Sequence, residues 1–194
     1  MISAEESMAR DEAVLVARAV GGDGPALGQL YDQFHERIFR YLLARSGRIE
    51  EAEDLTGEVF LRVVRNIQRY RSQGVPFSAW LFRIAHNVVA SHHRANGRRP
   101  DVIPIDEDHA AVADPAVEAA VRADLRAVRA ALVHLPKHQR AVVELRFFAD
   151  LSVSETAAVL GKNDGLVRVL QHKGLRRLQQ LLGQPGPKDV VADS

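Results

Sequence analysis

The chain has 194 residues, the length of one ordinary domain or two small ones. Hydrophobic residues make up 46% and charged residues 26%, as in soluble globular proteins, and cysteine is absent. This composition excludes a disulfide scaffold, a cysteine-based zinc site and a thiol nucleophile. No apolar run approaches the ~18 residues of a membrane span, and the acidic start lacks the pattern of a signal peptide. We therefore expect a cytoplasmic protein with no membrane insertion.

The charges are nearly balanced overall but segregated along the chain. There are 26 Lys and Arg residues against 25 Asp and Glu residues, which gives a formal net charge of +1. Residues 50–58 and 101–118 are acidic, whereas residues 92–99 and 162–177 are basic. Because the local sign decides which surface meets phosphate, the two basic segments predict a polyanion held at two points.

Helical periodicity dominates the chain from its start. Apolar residues recur every three or four positions, and the alternation typical of strands is absent. Residues 71–77 contain Gly74 and Pro76 and predict a loop between two helices. The sequence therefore predicts a helical unit over roughly residues 10–97.

A proline-containing acidic stretch follows this unit. Its prolines remove backbone donors and its like charges repel, so we expect a flexible linker. Helical character then returns until a tail rich in glycine and proline. The expected fold class is all-α, with two small helical domains joined by an acidic linker. Their predicted bounds are 1–97 for the first domain, 98–116 for the linker, 117–183 for the second domain and 184–194 for a disordered tail.

Residues 150–178 have the pattern of a helix-turn-helix. Ser152 and Glu155 have the spacing of a capping box and predict a helix from about Val153. Gly161 can end that helix in the left-handed conformation, and Asn163 can cap a second, basic helix. The second helix of such a motif enters the DNA major groove. The alternative is a solvated basic face on an ordinary helical hairpin.

Helical spacing divides the residues of this second helix into an inward face and an outward face. The inward positions are predicted to include Val167, Leu170, Leu175 and Leu178. Arg168 can donate two hydrogen bonds to guanine and Gln171 can pair with adenine, whereas Lys173 and Arg176 suit phosphates.

Two blocks of the sequence resemble a known family. Residues 52–70, AEDLTGEVFLRVVRNIQRY, followed by residues 77–87, FSAWLFRIAHN, resemble region 2 of the extracytoplasmic-function (ECF) sigma factors of bacterial RNA polymerase. Residues 135–148, LPKHQRAVVELRFF, and the helix-turn-helix resemble region 4. The short connector leaves no room for a region 3 domain, as is typical of the ECF group. The resemblance covers roughly residues 12–182.

The resemblance implies a binding face for core RNA polymerase. In the family, the helix matching residues 52–70 binds the coiled coil of the β′ clamp, and region 4 binds the tip of the β flap. The positions carried over to the clamp-binding helix are Asp54, Glu58, Arg62 and Arg65. The alternative for each is a solvated charge that complements the helix dipole. Gly57 stands where the family usually has Gln, which lowers helix propensity if the site is interior.

The resemblance also implies a pocket for a base extruded from the −10 promoter element. In the family, the loop matching residues 71–79 and Asn87 hold this base. Phe77 can stack on a base, and Trp80 is either a core residue or a base platform. The residues expected at −10 DNA are Phe77, Ser78, Trp80, Arg83, Asn87, His92 and Arg94.

Recognition of the −35 element is expected from the C-terminal domain. The residues expected there are Arg146, Arg168, Val169, Gln171, His172, Lys173 and Arg176. Leu166, Val169 and Leu170 replace the Thr, Ser and Arg common in the family, and Gln171 replaces its Leu. The −35 sequence therefore cannot be carried over.

Other classes of function have less support in the sequence. Residues 20–24 lack the Lys of a phosphate-binding loop, and neither histidine of the pair His92–His93 has a carboxylate four residues later. We expect the pair to be solvated or to face phosphate, and we expect no catalysis, cofactor, metal or small-molecule substrate. The resemblance adds an anti-sigma factor as a partner. The alternatives are a helix-turn-helix regulator that acts without polymerase, and a decoy that binds a sigma regulator.

Overall fold

A computed structural model describes residues 4–72, 74–95 and 127–183 of the chain. All regular structure in these ranges is helical, which confirms the all-α prediction. The predicted linker, the start of the predicted second domain and the predicted tail lie outside the described residues. The helices are α1 (Ala4–Val20), α2 (Gly24–Ser46), α3 (Ile49–Asn66), α4 (Phe77–Ala95), α5 (described over 127–133), α6 (Lys137–Phe147), α7 (Val153–Leu160) and α8 (Asp164–Leu182), with a short 3₁₀ turn at Ile67–Arg69.

The four N-terminal helices enclose the larger core. Helix α2 begins at the cap residue Asp23, whose carboxylate accepts a hydrogen bond of 3.1 Å from Ala26 N, and it ends at Gly47 with φ of 80°. The periodic stripe of α3 faces the other helices and is buried, as its spacing predicts. The core is built from Leu30, Phe34, Ile38, Tyr41 and Leu42 of α2, Leu55, Val59 and Val63 of α3, and Leu81, Phe82, Ala85 and Val88 of α4.

The helix-turn-helix forms with the bounds that its caps predict. Ser152 and Glu155 complete the capping box, so α7 begins at Val153. Gly161 has φ of 62° and ends α7. Asn163 Oδ1 accepts a hydrogen bond of 2.8 Å from Leu166 N, so α8 begins at the next residue, Asp164. Local chemistry therefore fixes this motif.

The inward face of α8 differs from the prediction at one position. Val167 and Leu178 are buried and Leu170 is half-buried, but Leu175 is 39% exposed. The buried position is Gly174 instead, where an added Cβ would lie 2.9 Å from Val143 Cγ2 on α6. The absent side chain lets the backbones of α6 and α8 approach, so the packing turns Leu175 outward.

The N-terminal and C-terminal helices pack against each other. Helix α7 lies along α4, and four residues of the C-terminal part, Leu145, Ala149, Leu151 and Val159, are buried in the same cluster as the N-terminal core. Arg37 of α2 strengthens this contact by donating hydrogen bonds of 3.0 and 3.1 Å to the carbonyl of Ala149. The sequence predicted two domains on a tether and did not reveal this interface.

Among the helices described, none combines the length and the hydropathy that a membrane span requires.

Candidate nucleic-acid and polymerase interfaces

The outward face of α3 carries the four residues that the resemblance assigns to polymerase. Asp54, Glu58 and Arg65 are exposed, and Arg62 is half-buried. Glu58 accepts a hydrogen bond from the Arg62 guanidinium one turn later. The structure therefore brings the predicted residues onto one accessible side of one helix.

Two apolar residues belong to this face and were missed in the sequence. Leu61 is 56% exposed and Val64 is 54% exposed, although both are large and apolar. Their positions outside the helical stripe could have revealed them. Gly57 lies on the same face, and a Cβ at this position would meet no atom within 4 Å. An exposed helix face with apolar residues between charges suits a helical partner.

A cavity of about 340 Å³ opens between the end of α3 and the first half of α4. Asn87 lies in its wall and is exposed, so its amide can bind a group that enters. The sequence predicted Trp80 and Asn87 at one site, and the structure brings both to this cavity. The complete wall consists of Arg62, Asn66, Arg69, Tyr70, Trp80, Ile84 and Asn87. Asn66, Arg69 and Tyr70 were missed, since they reach the cavity only because α3 ends in a 3₁₀ turn beside it.

The aromatic residues at this cavity differ in access. Trp80 is half-buried, with its ring 5.2 Å from that of Tyr70 and 5.4 Å from that of Phe77. It packs against the core and also lines the cavity, so both predicted roles fit its position. Phe77 is 4% exposed and its ring packs edge-on against Phe34 at 5.6 Å. The structure assigns Phe77 to the core, in contrast to the expectation that its ring is free to stack on a base.

Two of the residues predicted for −10 DNA contact helix α7 in this structure. Ser78 is buried and donates a hydrogen bond to the carboxylate of Glu155 in α7. Arg83 donates to the carbonyl of Ala158 on the same helix. Burial disfavours ionisation of Glu155, but the hydrogen bonds from Ser78 and Ser152 outweigh it and lower the pKa of this carboxyl. In this arrangement Ser78 and Arg83 hold α4 to α7.

The end of α4 has an exposed and a buried side. Arg94 is exposed and donates a hydrogen bond of 2.9 Å to Ser91 Oγ. His92 is half-buried, with Nε2 3.4 Å from Glu51 Oε2. His93 is only 9% exposed, which corrects the expectation of a solvated pair. Within the described ranges, no group of three or more His, Cys, Asp or Glu side chains could hold a metal ion.

The exposed face of α8 presents most of the residues predicted for −35 DNA. Arg168, Val169, His172, Lys173 and Arg176 are all exposed on this face. Arg168, Lys173 and Arg176 form no ion pair with any residue that the structure describes, and their exposed side chains face solvent. This arrangement leaves them accessible to a nucleic acid.

Arg146 and Gln171 are placed differently from the rest of the −35 set. Arg146 Nε donates a hydrogen bond of 3.0 Å to Gln171 Oε1, and the same guanidinium donates to the carbonyl of Leu151. Both side chains are half-buried. Arg146 thus joins α6 to α8, and either side chain must exchange this bond before it can contact a base.

A buried charged group lies between the two halves of the molecule and was missed in the sequence. Glu144 of α6 is 0% exposed and accepts hydrogen bonds of 2.6 Å from Arg45 and 2.7 Å from Arg140. Nearby, the hydroxyl of Tyr41 lies 3.0 Å from His86 Nδ1. Glu144 sits in the α6 segment that was matched only by resemblance, and no local pattern marks it as buried.

Comparison with protein families agrees with this arrangement. The family model described as Sigma-70 region 2 matches residues 30–99, and the model described as Sigma-70, region 4 matches residues 131–180. The α3 face and the cavity lie in the first match, and the helix-turn-helix lies in the second.

Related proteins are similar over most of the chain. The ECF RNA polymerase sigma factor BldN of Streptomyces coelicolor is 40% identical over 173 residues, covering 87% of this chain and 64% of BldN. The ECF RNA polymerase sigma factor SigD of Mycobacterium tuberculosis is 38% identical over 174 residues, covering 85% of this chain and 81% of SigD. The chain thus spans less than two thirds of the length of BldN but most of SigD.

A solved structure shows the same fold at lower identity. CnrH, in a structure with the cytosolic domain of CnrY, is 24% identical to this chain, with a TM-score of 0.65 and coverage of 89% of this chain and 97% of CnrH. Together, the two domain matches in this order and the SigD similarity identify the family. The chain belongs to the extracytoplasmic-function RNA polymerase sigma factors.

Proposed function

We propose that this protein is an alternative sigma factor, which binds core RNA polymerase and directs transcription from promoters with −35 and −10 elements of its own. The observation that carries this proposal is the pairing of a cavity of about 340 Å³ beside Asn87, large enough to admit a base, with a separate basic face on α8. The first surface suits a single extruded base, and the second suits the major groove of a duplex. Two such surfaces on one chain distinguish a promoter-recognition factor from a single-site binder.

At the −10 element, the cavity supplies both stacking and hydrogen bonding. The rings of Tyr70 and Trp80 offer apolar surface to a base, and the Asn87 amide can bond its edge. Arg69 in the same wall supplies positive charge for the adjoining phosphates. Capture of a base in this way offsets the few kcal/mol that unstacking costs and favours promoter melting.

At the −35 element, α8 enters the major groove with its exposed face. Arg168 lies in the N-terminal half of this helix, where base edges come within reach, whereas Lys173 and Arg176 lie nearer its end and suit phosphates. The bond between Arg146 and Gln171 fixes α8 against α6 and so orients that face.

Core polymerase binds the outward face of α3, with Leu61 and Val64 between the predicted charges, and the β flap binds region 4. The hydrogen bonds of Ser78 and Arg83 to α7 break before these side chains reach DNA. The protein acts in the cytoplasm, catalyses no covalent change and uses no cofactor. An anti-sigma factor is its expected inhibitor.

Run-off transcription tests this proposal most directly. Purified core polymerase is incubated with fragmented bacterial DNA, with and without the protein, and new transcripts are mapped. Discrete start sites with shared upstream elements are expected. If the protein binds DNA but gives no transcript and no complex with core polymerase, it is a helix-turn-helix regulator instead. Binding to a sigma regulator without promoter activity would establish the decoy alternative.

A matched pair of amide variants tests the cavity within the same assay. Asn87→Ala removes an amide from the cavity wall, whereas Gln68→Ala removes an exposed amide that does not line it. We expect Asn87→Ala to reduce open-complex formation and Gln68→Ala to leave it unchanged, with binding to core polymerase intact in both. Equal effects of the two variants would remove Asn87 from the −10 site.

A further inference from the structure

A second, larger cavity lies where the N-terminal and C-terminal helices meet, away from the surfaces described above. Its volume is about 650 Å³, within the range of small-molecule sites. Helices α2 and α4 contribute Arg45, His86 and His93 to its wall, and the C-terminal part contributes Lys137, Arg140 and Lys162.

The wall of this cavity is strongly basic. Among its described residues are four permanent cations, Arg45, Lys137, Arg140 and Lys162, and no carboxylate. The carboxylate of Glu144 lies behind the wall, where it contacts both arginines. A concave wall of one sign attracts an anion more strongly than a flat surface with the same charges.

Two buried nitrogens beside this cavity lack hydrogen-bond partners. His93 is 9% exposed and its Nε2 has no partner, and Nε of Arg45 has none either. Burial, followed by the charge of Arg45, lowers the pKa of both His86 and His93 below that of a free imidazole. Because native proteins rarely leave buried polar atoms unpaired, the Nε–H donor of Arg45 is the clearer case: it lacks an acceptor within the described residues.

The remaining wall is apolar. Val133, Leu135 and Leu160 face the same space as the cations, and Ala90 and Ala141 leave room beside them. Guanidinium and ammonium groups bind phosphate oxygens through short, charge-assisted hydrogen bonds. An apolar wall next to such groups suits the ring of a nucleotide.

We propose that this cavity binds a phosphorylated small molecule, of the class of nucleoside polyphosphates, and that this ligand holds the two domains together. The ligand touches α2 and α4 on one side and α6 and the α7–α8 turn on the other, so its full contacts exist only in the packed arrangement. A ligand that binds one arrangement better shifts the population toward it. The packed form keeps Ser78 and Arg83 bonded to α7, so the ligand opposes promoter binding.

Calorimetric titration of the full chain tests the binding site. The probes are ATP, GTP and inorganic tripolyphosphate at constant ionic strength, with sodium sulfate as the reference anion. Saturable binding of the nucleotides, tighter than that of tripolyphosphate, is expected because of the apolar wall. Equal affinity for tripolyphosphate and the nucleotides would show that the site recognises only the phosphates. This result would contradict the proposal that the ligand is a nucleotide. No saturable heat with any phosphorylated probe would overturn the site.

Two double variants separate the cavity from general electrostatics. Lys137→Gln with Lys162→Gln removes two cations from the wall, whereas Arg40→Gln with Arg177→Gln removes two exposed cations elsewhere. The first pair should weaken nucleotide binding about tenfold or more, and the second should leave it nearly unchanged. If both pairs weaken binding equally, the loss of affinity follows from the net charge of the protein and not from this cavity.

The absence of cysteine allows a direct test of domain coupling. Dyes on Glu53→Cys of α3 and Gln179→Cys of α8, both exposed positions, report the distance between the two halves during a urea titration. In the doubly labelled chain, bound nucleotide should raise the urea concentration at which the two halves separate. In the labelled chain that also carries Lys137→Gln and Lys162→Gln, nucleotide should leave this concentration unchanged. Binding without such a shift would overturn the coupling. Neither measurement contains core polymerase or promoter DNA, so a failure of this site and a failure of the proposed sigma activity are distinguishable, although the effect on promoter binding rests on the proposed function.

Discussion

The N-terminal and C-terminal halves of this molecule differ in how much core each encloses. Helices α1–α4 bury a continuous set of large apolar side chains from every helix. Over residues 127–183, the C-terminal helices have two smaller clusters, one of five and one of three buried residues, and place four further residues in the N-terminal core. Small domains bury a low fraction of their surface and are only marginally stable alone. The C-terminal half therefore gains stability from packing against its neighbour.

This difference bears on function because the contact that stabilises the C-terminal half also occupies residues predicted for DNA binding. Ser78 and Arg83 of α4 bond to α7, whereas Asn87, one turn further along α4, remains exposed at its cavity. The packed arrangement thus engages two of the residues predicted for −10 DNA and leaves Asn87 accessible.

The largest expected effect comes from the buried charge between the halves. Glu144→Gln removes the carboxylate that both Arg45 and Arg140 contact, which should lower the free energy of unfolding by about 3 kcal/mol or more. Urea denaturation of the full chain measures this change. Glu58→Gln, which breaks the exposed pair with Arg62, is the control and should cost less than about 1 kcal/mol. Similar costs for the two variants would show that the contact between the halves adds little stability.

The close packing of α6 on α8 should respond to one methyl group. Gly174→Ala places a Cβ 2.9 Å from Val143 Cγ2, and since Val143 is buried, relief requires the helices to move apart. We expect a loss of about 1–3 kcal/mol in the stability of the C-terminal half. Hydrogen exchange of α6 and α8 amides measures it locally. Gly165→Ala on the same helix meets its nearest atom at 3.5 Å and serves as the control. An unchanged exchange rate in Gly174→Ala would refute the close approach.

The exposed face of α8 can be tested by a single truncation. Arg168→Ala should weaken binding to the preferred −35 sequence by roughly 1–3 kcal/mol if this side chain contacts a base pair through two hydrogen bonds. Titration of the full chain against a panel of duplexes measures the preference as well as the affinity. Arg177→Ala removes an exposed cation of the same helix that was assigned no DNA contact. If Arg168→Ala weakens all duplexes uniformly, Arg168 binds phosphate.

The smallest effect is expected in the N-terminal half and has the opposite sign. Gly57 lies in the interior of α3, and a Cβ there meets no atom within 4 Å. Gly57→Ala should therefore stabilise the protein by about 0.5–1 kcal/mol through helix propensity. Thermal unfolding of the full chain measures this gain. Destabilisation would contradict the open space around position 57, because it would show that an added Cβ meets neighbouring atoms.

The sequence by itself determined the helices and their ends wherever the signal is local. The capping box at Ser152, the left-handed Gly161 and the cap Asn163 gave the helix-turn-helix its bounds, because each acts on backbone groups within a few residues. The periodic stripe of α3 and the position of Asn87 on α4 were also predictable, since both follow from helical geometry and resemblance.

The tertiary structure alone decided which side chains are available. Ser78 finds its partner Glu155 77 positions away, and Arg45 finds Glu144 99 positions away, distances over which no local pattern acts. The burial of Phe77 and His93 likewise depends on helices that meet only after folding. Leu175 lies outside the predicted inward face for the same reason, because the space between α6 and α8 admits the backbone of Gly174 and no side chain. Helix ends follow from neighbours in the chain, whereas burial follows from neighbours in space.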